Sequence, residues 1–230
     1  MDLNRKLWNQ QQQILRKKLS ISTECQEAIR LFLDQHAMVH TADMSESGLW
    51  SFEDEIWLGM DDKDIRCLPD GFEHSIAWMI WHTTRIEDIT MNMLLADNPE
   101  LFNKDGWCDR LGIPFRDTGN AMTTAEITTL SARINIKALR EYRIATGCRT
   151  RQIVTLLKPS DLAQRVHPAR LQRVFDEGAV VSAARGLLDY WGGLTASGLL
   201  LMPPTRHPFI HLNEALRLKT KLRKTVKSLA

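Results

Sequence analysis

The chain has 230 residues, 43% hydrophobic and 25% charged, which is the composition of a globular protein with a sizeable core. Its net charge is only +2, and no apolar run reaches the roughly 18 residues of a candidate membrane span. Cys25, Cys67, Cys108 and Cys148 are widely spaced and form no CxxC, which argues against a secreted disulfide scaffold. The start runs from Met1-Asp2-Leu3-Asn4-Arg5-Lys6 into Gln10–Gln13 rather than an apolar signal core. The expectation is a reduced, cytoplasmic protein with no membrane association.

Helical patterning dominates from the start. Residues 3–18 read as a polar amphipathic helix with Leu3, Leu7, Ile14 and Leu15 on its apolar side. A second helix starts near Ser22-Thr23-Glu24 and runs to about residue 41. It carries His36 and His40, four apart and therefore on one face. Residues 49–58 suggest a short helix, and 61–71 an Asp-rich turn.

Residues 72–96 form the most apolar helical stretch, with Ile76, Trp78, Met79, Ile80, Ile86, Ile89, Met93 and Leu94 around much of its circumference. His82 shares a face with Trp78, Ile86 and Ile89. An insertion of about 105–135 follows, with a helix from 123–124 to 134. Further helices are predicted over 136–158, from His167-Pro168 to about 178, and over 182–201. Met202-Pro203-Pro204-Thr205 reads as a hard break, with Pro208 at the first turn of a last helix and His207 as its N-cap. No strand-like alternation stands out. The expectation is one all-α domain over residues 1–230, with 1–20 as an N-terminal helical extension.

Three imidazoles offer metal chemistry: His82 from the central helix, and His207 and His211 from the last. Three such ligands leave one position open, as in catalytic zinc sites. Neutral imidazole suits Zn, Ni and similar ions equally. His36 and His40 are a competing pair. There is no HExxH, no Walker A motif and no GxGxxG after a strand, so hydrolase, kinase and dinucleotide readings lack support. Residues 206–230 hold seven Lys/Arg against one acid, while residues 43–73 hold ten acids against two bases. The basic stretch, with Arg217, Lys219, Lys221, Arg223, Lys224 and Lys227, is expected to be a solvated helix face rather than a nucleic-acid site.

The helix Ser75-Ile76-Ala77-Trp78-Met79-Ile80-Trp81-His82-Thr83-Thr84-Arg85-Ile86-Glu87-Asp88, with the terminal HxxxH of His207 and His211, resembles the DinB-like metal-binding helical bundles. That group includes thiol-dependent S-transferases and mycothiol-dependent maleylpyruvate isomerases. The resemblance implies a DinB-like four-helix bundle with additional short helices. It implies a divalent metal on His82, His207 and His211, and often a homodimer. Trp78, Ile86 and Arg85 are then expected to line the cavity; Arg85 reads first as a surface ion-pair residue and second as a receptor for a carboxylate. The expected activity is a metal-dependent transferase or isomerase that activates a small thiol against an apolar electrophile. A DinB-like binding or stress-response protein without turnover is the alternative.

Overall fold

A computed structural model describes residues 2–229, with side chains described through residue 224. Its helices are α1 (Leu3–Lys18), α2 (Cys25–Ala37), α3 (Phe52–Trp57), α4 (Asp62–Arg66), α5 (Ile76–Asp88), α6 (Leu101–Lys104) and α7 (Trp107–Leu111). They continue as α8 (Thr124–Arg133), α9 (Ile136–Thr155), α10 (Pro159–Leu162), α11 (Pro168–Asp176), α12 (Gly186–Gly192), α13 (Ala196–Leu201) and α14 (His207–Leu229). Among the described residues the only β contact is an isolated bridge between Arg165 and Thr195. The described residues form an all-α bundle with added short helices.

Helix α5 is central because every residue from Ile76 to Asp88 is buried. Ser75 starts it, its hydroxyl accepting from Trp78 N at 3.0 Å. α9 and α14 flank α5, while α2 packs on α1, on α9 and on the segment that leads into α14. Among the described residues no helix is long and apolar enough to cross a membrane.

The second helix ends at Ala37 rather than near 41, and the expected turn over 61–71 contains α4, whose N-cap Asp61 accepts from Lys63 N and Asp64 N. Three further boundaries differ from the sequence expectation. The stretch predicted over 72–96 is α-helical only from Ile76 and continues as a π-helix over Ile89–Leu95. Residues 182–201 are broken into a 3-10 turn, α12 and α13, separated near Gly193. The predicted break at 202–205 is instead a π-helical segment, Met202–Arg206, continuous with α14. His207 is therefore a helical residue (φ −64°, ψ −52°) rather than a cap. Pro203 and Pro204 bring no N–H, so carbonyls one turn back lose their donors. Thr205 Oγ1 donates to Leu200 O at 2.8 Å, and Gln12 Nε2 of α1 donates to Leu201 O at 2.9 Å. Side chains thus satisfy the backbone that the prolines leave open.

The expected extension and insertion both enter the core. Trp8 of α1 is buried and lies flat on Phe209, ring centroids 3.9 Å apart, which braces the start of α14. Trp107, Leu111, Ile113, Ile127 and Leu130 join the same apolar cluster as Trp78 and Trp81.

The basic end of the chain bonds back to the protein. Lys219 donates to the carbonyls of Glu55 and Leu58, Lys221 to Asp70 O, and Arg223 to Leu58 O and Gly59 O. The side chain of Lys227 lies outside the described residues.

Candidate metal centre

His82, His207 and His211 converge. Each offers a ring nitrogen, and these atoms all lie within 4.8 Å of one another. His82 Nε2 and His207 Nε2 are 3.2 Å apart. Ligands of one tetrahedral ion at the usual metal–nitrogen distance stand roughly 3.3 Å apart. One pair already has that spacing, and a small side-chain rotation would bring in His211.

The tautomer of His82 is set by its surroundings. Its Nδ1 lies 2.5 Å from Thr118 O, and a carbonyl can only accept, so Nδ1 carries the proton. Nε2 therefore presents its lone pair to His207. Gly119 makes this contact possible: its φ of +81° turns the loop, and a Cβ there would lie 2.6 Å from Trp81 Cζ3.

Burial, with the neighbouring His211, pushes His82 down to about 3. Burial likewise holds His207 well below the ordinary histidine range. Neutral imidazole is the form that ligates a metal, so the donor set fits a divalent first-row ion.

His211 Nδ1 lies 3.5 Å from Glu214 Oε2, and His74 Nδ1 lies 3.9 Å from Glu214 Oε1. His211 and then His74 hold the Glu214 carboxyl down at about 2. A carboxylate behind a ligating imidazole orients the ring and raises its basicity. His74, Trp78 and His82 form a column, with stacked centroids at 3.8 and 4.5 Å.

Trp78 thus borders the cluster. Ile86 is buried among Ile89, Met93, Val174 and Leu188. Arg85 is an ion-pair residue, but a buried one rather than one on the surface. It is fully buried, and its guanidinium is committed to Glu100 at 2.8 Å, to Tyr142 Oη at 3.2 Å and to Arg116 O. Those partners leave no free fork for a substrate carboxylate.

His36 and His40 also converge with a third group, but that group is Glu87, not His82. Their Nε2 atoms lie 2.8 Å from Glu87 Oε1 and 2.9 Å from Glu87 Oε2, and all three residues are fully buried. The sequence reading gives Glu87 no role. It missed Glu87, Thr118 and Glu214 as supporting groups. A carboxylate on a helix otherwise apolar all round was the available signal for Glu87.

A family model described as DinB superfamily matches residues 54–200. The chain belongs to the DinB superfamily. The DinB match contains His82, whereas His36, His40, His207 and His211 lie outside its ends. No curated protein matches the chain.

Proposed function

We propose that His82, His207 and His211 hold a divalent first-row ion, and that the protein is a metal-dependent transferase or isomerase using a small thiol. The observation that carries this reading is the convergence of three imidazoles, with the His82 tautomer fixed by Thr118. Such an ion supplies Lewis acidity, lowering the pKa of a thiol that reaches its open side. In the transferase case, R–SH and R′–X give R–S–R′ and H–X. The S–H proton and the leaving group depart together, so redox chemistry is unnecessary.

This chain's own residues bind and orient. Trp78, stacked between His74 and His82, holds the His82 ring in its orientation. Glu214 steadies His211 from behind. Neither metal-competent group among the described residues contains a cysteine, which suits a thiol supplied from outside. The four cysteines are unpaired, supporting a reducing cytoplasmic setting. Exposed Leu3, Leu7 and Ile14 on α1 give a homodimer an apolar edge.

The test is elemental analysis of purified protein, then thiol-transfer assays with wild type and His82→Ala. Metal and thiol consumption in wild type, both reduced in His82→Ala, support the enzyme. Metal without thiol consumption favours a binding protein. No bound metal sinks the reading.

A further inference from the structure

We propose that His36, His40 and Glu87 form a second cation site, taking a first-row divalent metal ion, separate from the His82 cluster. Two imidazoles come from successive turns of α2, and a carboxylate comes from the middle of α5. Their ligand atoms lie within 4.8 Å of one another. Two nitrogens and one oxygen suit ions such as Zn²⁺, Mn²⁺ or Fe²⁺.

Charge around the cluster favours a cation. Glu53, Glu87 and Arg143 are each almost wholly buried. Arg143 Nε lies 3.0 Å from Glu53 Oε2, and Arg143 Nη1 lies 3.3 Å from Glu87 Oε2. One guanidinium therefore stands against two carboxylates. An excess negative charge in a dry interior is costly unless something positive meets it.

The remaining contacts fix the donors. Thr150 Oγ1 donates to Glu87 Oε1 at 2.7 Å, and Arg143 Nη2 donates to Val39 O at 2.8 Å. Arg143 is thereby anchored by Glu53 and Val39 as well as by Glu87. Among the described residues, His36 Nδ1 and His40 Nδ1 are buried and have no hydrogen-bond partner. Without a metal, each ring donates its Nε2 proton to Glu87. With a metal, each ring presents the Nε2 lone pair and carries its proton on Nδ1. Two N–H···O contacts are replaced by three metal–ligand bonds, and no proton leaves the protein.

The experiment counts metal per chain by mass spectrometry. Protein is purified from cells grown with added Zn²⁺, Mn²⁺ and Fe²⁺, as wild type, His82→Ala, His36→Ala and Glu87→Gln, with folding checked by circular dichroism. The expected result is two ions in wild type and one in each variant. If His36→Ala or Glu87→Gln does not fold, His82→Ala decides: it must keep one ion, with two imidazoles and a carboxylate visible by X-ray absorption. One ion in wild type, lost from His82→Ala, overturns this site and leaves the proposed function standing. One ion kept by His82→Ala but lost from Glu87→Gln has the opposite meaning. Metal-free wild type overturns both.

Discussion

His82 Nε2 and His207 Nε2 face each other across 3.2 Å, one from the central helix and one from the helix that closes the bundle. Because His82 gives its Nδ1 proton to Thr118 O, its facing nitrogen is a lone pair. Loop geometry around residue 118 therefore controls a donor atom 36 residues away in sequence.

Gly119→Ala tests that control. The new methyl would strain a backbone at φ +81° and press on Trp81. The expected cost is about 1–3 kcal/mol, read from urea denaturation. Metal retention should fall with it, because the Thr118 carbonyl must move. Unchanged stability and unchanged metal content would contradict the role given to this loop.

Glu214→Gln keeps the shape and removes the charge behind His211. Metal affinity should drop by about 10-fold, the lower end for groups supporting a ligand. Competition with a zinc chelator measures it. An affinity equal to wild type would show that the 3.5 Å approach to His211 Nδ1 does not support the ligand.

Acid should weaken the metal-free protein well above the carboxylate range. His40 and His82 each titrate at about 3 in the fold, against an ordinary value of 6.5. Between those values the unfolded chain binds more protons, so stability rises with pH. Their contribution is complete above about 6.5 and is lost as pH falls towards 3. At pH 5 each group costs about 2 kcal/mol relative to neutrality. Denaturation curves at pH 7 and pH 5 check this, and equal midpoints would refute it.

Arg85→Met should destabilise by about 3–5 kcal/mol, because Glu100 and Asp88 would lose their buried cation. Thermal or urea unfolding reads the loss. If the variant stays as stable as wild type but loses only substrate affinity, Arg85 is a binding residue after all.

The sequence made His82 conspicuous, because an imidazole in the middle of an all-round apolar helix needs a partner. The spacing of His207 and His211 was equally readable. Their geometry was not, since Pro208 suggested a helix start while tertiary contacts carried the helix through the prolines. Gln12 does part of that work from 189 residues away. Thr118 acts through its carbonyl, which has no side-chain signature. Arg85 reads from sequence as a surface ion-pair residue; that its partners Glu100 and Asp88 are buried with it is invisible to periodicity. Glu87 was seen but not placed, as only the packing of α2 on the bundle brings it to His36 and His40.

The π-helical segment Met202–Arg206 sets the angular position of everything that follows it. A π turn is equivalent to one extra residue in an α-helix, and one residue is about 100° of rotation. Removing a single residue between 202 and 206 would take out the extra residue of the π turn. It would also swing His207 and His211 away from His82 without altering either side chain. The ligand pair is thus specified by helical phase as much as by residue type, and a one-residue deletion there should abolish metal binding as effectively as deleting both imidazoles.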